Sequence, residues 1–161
     1  MHPRAKELID LLQLQPHPEG GHFVETFRSP LIVTPIDSRG SRTALTVIYF
    51  LLTEGEVSRW HRVQSDEAWH WHEGHPLDLF VASPDTNVIQ SFSLGPASQK
   101  TTPQHIVPAG HWQAARSAGA YTLVGCSVGP GFEFSDFTML SSLPGHERPP
   151  LTPPNLFVEF L

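Results

Sequence analysis

Short apolar or alternating segments, each followed by a cluster of turn-forming residues, recur along most of this chain. The turns read SPDTN, LGPAS, PAG, SAG and GPG, and the 161 residues include 16 Pro and 12 Gly. Segments this short favour strands over helices, and their regular spacing is typical of an antiparallel sandwich or jelly-roll barrel. We therefore predict an all-β fold with strands at residues 22–28, 43–52, 57–63, 67–72, 76–82, 87–94, 105–108, 110–116, 121–128 and 132–140.

One segment has the spacing of a helix. Apolar side chains near the N-terminus recur three and four positions apart, and a proline follows the segment. The chain length fits one domain that can bury a core. The predicted organisation is a single domain, 1–161, with a helix at about 4–14, a barrel at about 20–140 and an extended surface tail at 141–161.

Composition argues against several classes of partner. The formal net charge of −6 disfavours nucleic acid, because phosphate binding requires a basic surface. No apolar run is long enough to cross a membrane, and the N-terminal residues lack the unbroken apolar stretch of a signal peptide. The single cysteine, Cys126, cannot form an internal disulfide and lies in an apolar run. We therefore expect a cytoplasmic protein in which Cys126 is buried.

The stretch GEVSRWHRVQSDEAWHWHEG, residues 55–74, concentrates histidine, tryptophan and acidic side chains. On a strand, His70 and His72 share one face and are spaced like two ligands of a metal site. Glu67, Trp69 and Trp71 share the opposite face. Because tryptophan buries more apolar area than histidine, we expect the tryptophan face to point inward. His70 and His72 are then predicted on the outer face, in spite of their metal-like spacing.

The glycines of the same stretch frame a second pattern. Gly55, His61, Glu67 and Gly74 match four of the five fixed positions of G-x5-H-x-H-x3/4-E-x6-G. This pattern resembles the first motif of the cupin superfamily, and Val63 stands where that motif has its second histidine. The match therefore points to His61 and Glu67 rather than to the visible His-x-His.

Other segments extend the resemblance from about residue 5 to about residue 140. Pro108, Ala109 and Gly110 supply the P-x-G of the second cupin motif, with Gln113 in place of its histidine. The segments PHPEGGHFVETFRS, TVIYFLL, VPAGHWQAA and LVGCSVGPGFEFSDF resemble a small single-domain cupin branch of uncharacterised function. The resemblance implies a jelly-roll β-barrel, a homodimer and an internal ligand cavity, without a known reaction.

His61 and Glu67 are the predicted catalytic residues. Burial raises the pKa of a glutamate and lowers that of a histidine, so a buried pair can work as acid and base. With the carbonyl oxygen of Gln113, the same residues are also the candidate ligands of one divalent metal ion, the only cofactor considered. The predicted ligand pocket further includes Tyr49, Trp69, Trp71, Gln113, Glu25 and Asp136. The alternative roles are core packing for Trp69 and Trp71, an interface for Glu25 and a strand-end position for Asp136.

Three functions remain open from the sequence. The first is a cupin that binds a small polar molecule, such as a sugar or nucleotide, with isomerase-like or epimerase-like acid–base chemistry. The second is a metal-dependent oxygenase or isomerase. The third is a non-catalytic ligand-binding homodimer, joined through the outer face with His70 and His72 or through exchange of the strand at 22–28.

Overall fold

The computed structural model describes residues 1–161, and strands dominate it. The expected all-β fold with one short N-terminal helix is confirmed, and the helix α1 covers Pro3–Leu12. Short pairs that the sequence pattern missed bring the strands to thirteen. They are β1 Gln15–Pro16, β2 His22–Arg28, β3 Ile32–Val33, β4 Arg42–Thr43, β5 Thr46–Thr53, β6 Val57–Val63, β7 Asp66–Gly74, β8 Leu77–Ala82, β9 Ile89–Leu94, β10 Gln104–Val107, β11 Trp112–Ser117, β12 Tyr121–Gly129 and β13 Phe137–Met139.

The strands form two large antiparallel sheets, as expected for a jelly-roll barrel. One sheet has six strands in the order β1-β2-β5-β12-β7-β10, and the other has five in the order β13-β6-β11-β8-β9. A separate two-stranded sheet, β3 and β4, lies before β5 in the chain. Neighbours in each sheet are often distant in sequence, so the barrel brings widely separated residues into one interior.

The main core lies between the two sheets. Phe50 and Trp69 from the six-stranded sheet pack with Leu79 and Val81 from the five-stranded sheet, and each is at most 4% exposed. Burying an apolar side chain of this size contributes about 1.5–3 kcal/mol. This core closes one part of the barrel and leaves the other part for a cavity.

The helix α1 covers the outer face of the six-stranded sheet. Its buried residues Ala5 and Leu8 pack with Leu51 of β5 and with Tyr121 and Leu123 of β12. The outer face of this sheet is therefore apolar where the helix lies on it. No helix of the chain has the length and apolar character needed to span a membrane.

Residues 141–161 do not form the predicted extended surface tail. Two short 3-10 turns precede a second helix, α2, at Pro154–Glu159. Leu151 and Phe160 are buried with Trp60 and Phe80 on the outer face of the five-stranded sheet. The prolines of this segment hide any helical or strand periodicity in the sequence. In the structure Pro154 is the first residue of α2, and the other prolines lie in loops.

The predicted strand at 132–140 is also shorter than expected. Residues Phe134–Asp136 form a 3-10 turn, and only Phe137–Met139 pair with β6. This turn places several phenylalanines at one end of the barrel, where the cavity opens.

Candidate functional site

The barrel encloses a partly open cavity of about 100 Å³. Side chains from β2, β5, β6, β7 and β12 form its walls, and residues of the 16–21 loop and of the 129–137 segment complete it. This space is large enough for several water molecules or a small organic ligand. The polar side chains that line it include buried glutamates and buried histidines.

His61 reaches the cavity because β6 carries a β-bulge. Across the sheet, Gln113 pairs with His61 but Ala115 pairs with Ser58, so two residues of β6 lie opposite one residue of β11. The bulge turns both Ser58 and His61 inward, while the intervening Trp60 packs against the C-terminal segment. A bulge of this kind re-aims a side chain without ending the strand.

Glu19 enters the cavity from the loop PHPEGG at 16–21. The loop is closed by hydrogen bonds from the His17 amide to the Gly21 carbonyl and from the Gly20 amide to the His17 carbonyl, both at 3.0 Å. It is fixed to the bulge because the Arg59 amide donates to the Glu19 carbonyl at 2.9 Å. Only glycine fits at position 20, since its φ is +113° and a Cβ would lie 2.1 Å from the Val57 carbonyl oxygen.

Glu19 and His61 share a proton. Nδ1 of His61 lies 2.7 Å from the Arg59 carbonyl oxygen, which can only accept, so Nδ1 carries a hydrogen. Nε2 of His61 then faces Oε2 of Glu19 at 3.2 Å. Two bare lone pairs would repel at this distance, so one proton lies between the two atoms. Burial raises the pKa of Glu19 and lowers that of His61, which is consistent with a proton held largely by Glu19.

His17 and Ser58 complete the surroundings of Glu19. The Ser58 hydroxyl donates to Oε1 of Glu19 at 2.8 Å. Nδ1 of His17 accepts from the Glu19 amide at 3.2 Å, so the hydrogen of the neutral His17 ring is on Nε2. Burial lowers the pKa of His17 and keeps the ring neutral.

Glu67 is held by a different set of contacts. Nε2 of Gln113 donates to Oε2 of Glu67 at 2.6 Å, and Cys126 lines the same cavity. Burial raises the pKa of Glu67 above its ordinary value of 4.5, while the nearby His61 and the hydrogen bond from Gln113 oppose that rise. Burial likewise raises the pKa of the Cys126 thiol well above its ordinary value. Cys126 is therefore a protonated thiol and not a thiolate nucleophile.

The donor set does not fit a metal ion of the usual cupin type. The amide of Gln113 bridges two neighbours: its nitrogen donates to Glu67, and its oxygen accepts from Nε1 of Trp69 at 2.9 Å. Because an indole can only donate, this orientation is fixed and the oxygen is occupied. Val63 supplies no ligand, and no three His, Cys, Asp or Glu side chains of the chain are arranged to hold a metal.

The mouth of the cavity is aromatic and carries a charged cluster. Arg28 of β2 binds both carboxylate oxygens of Glu25 at 2.9 Å and one oxygen of Glu133 at 3.0 Å. Around this cluster lie phenylalanines with edge-to-face contacts, and Phe134 is 58% exposed. The phenylalanines that line the cavity are Phe23, Phe50, Phe132, Phe134 and Phe137.

The structure brings together only some of the predicted pocket residues. His61, Glu67, Trp69 and Glu25 line the cavity. Gln113 is fully buried behind the cavity wall, where it positions Glu67.

Three other predicted residues lie elsewhere. Tyr49 faces outward, packs beside α1 and contacts the His72 ring at a centroid distance of 5.7 Å. Trp71 packs on the core away from the cavity, and its Nε1 donates to the His75 carbonyl at 3.1 Å. Asp136 is buried in ion pairs with Arg39 and Arg42. The error for Tyr49 has a clear cause: α1 covers the outer face of β5, so the outward residues of that strand are as apolar as the inward ones.

Sequence reasoning missed Glu19 and His17, which line the cavity together with His61. The two prolines and two glycines of the loop PHPEGG predict only a turn, because they exclude regular structure. The sequence feature that could have indicated their role is an acid and a histidine within a segment of prolines and glycines. Such a loop has a fixed conformation, and fixed loops often carry functional side chains.

Comparisons with known proteins agree with this architecture. A hypothetical protein from Leishmania major is 35% identical, with a TM-score of 0.76 over 83% of this chain and 85% of that one. A protein from Shewanella oneidensis is 36% identical, with a TM-score of 0.74 over 84% of this chain and 83% of that one. An uncharacterised protein from Saccharomyces cerevisiae is 29% identical over 151 residues, which cover 84% of this chain and 74% of the yeast protein.

The family assignment rests on the sequence profile of one family. The profile described as "Cupin superfamily (DUF985)" matches residues 6–140, which include both large sheets and every residue that lines the cavity. The chain therefore belongs to the cupin superfamily, in the family designated DUF985.

Proposed function

We propose that this protein binds a small polar molecule in the barrel cavity and catalyses proton transfer next to a carbonyl group, as isomerases and epimerases do. The observation that carries the proposal is the pairing of a proton-sharing Glu19–His61 unit with a separately held Glu67 inside one cavity. Titratable groups whose environments differ in this way are typical of acid–base sites.

Glu67 is the base of the proposed reaction. Its carboxylate is stabilised by the hydrogen bond from Gln113, and its raised pKa makes it a stronger base than an exposed glutamate. It takes a proton from the carbon next to the substrate carbonyl. The C–H electron pair moves into the carbon–carbon bond, and the carbonyl π pair moves to oxygen.

The Glu19–His61 unit is the acid. It gives its shared proton to the substrate oxygen as negative charge develops there, and an enol results. In an isomerisation the unit then takes the proton of the neighbouring hydroxyl group, whose oxygen becomes the new carbonyl, while protonated Glu67 gives its proton to the former carbonyl carbon. Both groups end the cycle as they began, so no oxidant or reductant is required.

Exchange in heavy water tests this proposal. Sugars, sugar nucleotides and nucleosides are incubated in D2O, and proton NMR follows deuterium uptake at the carbon next to the carbonyl. We expect uptake with the natural protein and a loss of about 100- to 10,000-fold with Glu67→Gln, the range for removal of a general base. His146→Ala, at a site 81% exposed, is the matched control and keeps the natural rate. If a compound binds in the cavity and none of the compounds tested takes up deuterium, the result would contradict proton transfer and favour a non-catalytic binding protein.

We also propose that the protein forms a homodimer through the segment 27–45. Five apolar side chains of this segment are exposed, and β1 covers the edge of β2 only at His22 and Phe23, which leaves the rest of that edge open. An open strand edge beside an apolar surface readily adds a second chain. The exposed residues are Phe27, Leu31, Ile32, Ile36 and Leu45.

A further inference from the structure

We propose that the ligand of this cavity is a ring compound without negative charge that has a hydroxyl or carbonyl group at one end, and that the mouth of the cavity rejects phosphate and carboxylate derivatives of it. The inference rests on the proposed binding role of the cavity but not on the proton-transfer step. It narrows the open class of sugars and nucleotides to molecules without a negative charge.

The charges that line the cavity carry the first part of this inference. Four glutamates line it, at positions 19, 25, 67 and 133, and Arg28 is the only Lys or Arg among the lining residues. His17 and His61 do not add positive charge, since Nδ1 of His17 accepts an amide hydrogen and His61 shares one proton with Glu19. The potential inside the cavity is therefore negative, and it opposes the entry of an anion.

The hydrogen bonds of Arg28 carry the second part. Its Nε and one terminal nitrogen bind Glu25, the other terminal nitrogen binds Glu133, and the Phe132 carbonyl accepts a further bond at 3.3 Å. Paired donors of this kind are the usual site for carboxylates and phosphates, and here two protein carboxylates already occupy them. These bonds use four of the five N–H groups of Arg28, so an anionic ligand finds no free pair of donors unless it displaces Glu25 or Glu133.

The aromatic mouth carries the third part. Phe132, Phe134 and Phe137 lie in edge-to-face contact, with ring centroids 5.0–6.2 Å apart. Ring faces carry partial negative charge, so they attract the C–H groups of a flat or saturated ring and repel anions. A ligand bound here places its ring among the phenylalanines and its polar end toward Glu67 and the Glu19–His61 unit.

Three small fragments that share one phenyl ring and carry different charges test the inference. Benzyl alcohol, benzoate and benzylamine present one ring with a neutral, negative or positive group, and ligand-observed NMR measures their binding at millimolar concentration. We expect benzyl alcohol to bind and benzoate to bind at least about tenfold more weakly. The substitution Ile48→Trp places a bulky side chain in the cavity wall and should abolish binding of benzyl alcohol. This result would assign the binding site to the cavity.

A variant that releases Arg28 from its carboxylate partners tests the inference in the opposite direction. The double change Glu25→Gln and Glu133→Gln removes two exposed carboxylates and leaves the guanidinium without charged partners. We expect benzoate affinity to rise about tenfold or more while benzyl alcohol is unchanged. Equal binding of benzoate and benzyl alcohol to the natural protein, or no binding of benzyl alcohol, would overturn the inference. Because none of these measurements requires turnover, they remain decisive if the exchange experiment fails.

Discussion

Nε2 of His61 lies 3.2 Å from Oε2 of Glu19, and both side chains are at least 92% buried. The contact joins a bulged strand to a tight glycine loop, and neither element alone would place its side chain in the cavity. The bulge turns His61 inward, and the amide of Arg59 within the same bulge holds the loop that carries Glu19. The geometry of this pair is therefore set by backbone contacts and not by the side chains themselves.

The titration of Glu67 should show its buried position directly. Burial raises its pKa, and the hydrogen bond from Gln113 opposes the rise. We expect carbon-13 NMR of the carboxyl group to give a midpoint above 4.5 in the natural protein and a still higher midpoint in Gln113→Met, which removes the donor at similar volume. A midpoint that falls in Gln113→Met would contradict the role of this hydrogen bond.

The pH dependence of stability should change in Glu67→Gln. A carboxyl group whose pKa is raised on folding stabilises the protein fully below its unfolded value of 4.5, and this contribution is lost as the pH rises through the folded pKa. Urea unfolding should therefore show the natural protein losing stability relative to the variant above pH 4.5, at no more than about 1.4 kcal/mol per pH unit. A constant difference across this range would show that Glu67 has an ordinary pKa. Glu54→Gln is the exposed control.

Gly20→Ala should destabilise the protein strongly. A Cβ at this position would meet the Val57 carbonyl oxygen, and its φ of +113° strains any L side chain. We expect a loss of about 2–5 kcal/mol, from left-handed backbone strain of about 1–2 kcal/mol and overpacking of about 1–3 kcal/mol. Gly40→Ala is the matched control, because Gly40 also has a positive φ but no heavy atom lies within 4 Å of its Cβ position. Its expected loss is about 1–2 kcal/mol, and equal losses in the two variants would exclude the contact with Val57.

The C-terminal segment should contribute to stability. Phe160 is fully buried, and its ring contacts Phe80 and Trp60 at centroid distances of 4.9 and 6.1 Å. We expect Phe160→Ala to lower the free energy of unfolding by about 3–5 kcal/mol. Val158→Ala, at a residue 67% exposed in the adjoining helix α2, should change it by less than about 0.5 kcal/mol. Similar small effects of both substitutions would mean that the segment does not pack on the sheet in solution.

The mass of the protein in solution tests the proposed homodimer. Light scattering after size exclusion should give twice the 17.9 kDa chain mass for the natural protein. A double change, Ile32→Lys and Ile36→Lys, places charge on the exposed apolar segment and should give the monomer mass. Val158→Lys, far from this segment in sequence and also exposed, should remain dimeric. A monomer mass for the natural protein would contradict the proposed homodimer.

The general architecture could be predicted because turns punctuate the chain so regularly. The cupin-like spacing of His61 and Glu67 then identified two of the side chains in the cavity. Alternation along β7 also placed Trp69 inward and His72 on the outer side, because the strand stays regular as far as Trp71.

The remaining site residues depended on features that alternation does not reveal. Tyr49 was assigned to the wrong face because a helix makes both faces of β5 apolar. Ser58 and His61 share a face only because of the bulge, which leaves no distinct mark in the sequence. Glu19 belongs to a loop, and which wall a loop packs against depends on tertiary contacts such as that between Gly20 and Val57.

The bridging amide of Gln113 has a consequence for redesign of this barrel. In the cupin motif that the sequence resembles, this position is a histidine, so Gln113→His together with Val63→His is the obvious route to an engineered metalloprotein. The exchange would remove the donor that holds Glu67 and would leave the indole hydrogen of Trp69 unpaired in a fully buried place. A designer would therefore have to replace Trp69 as well, for example by phenylalanine, so that the three positions change together.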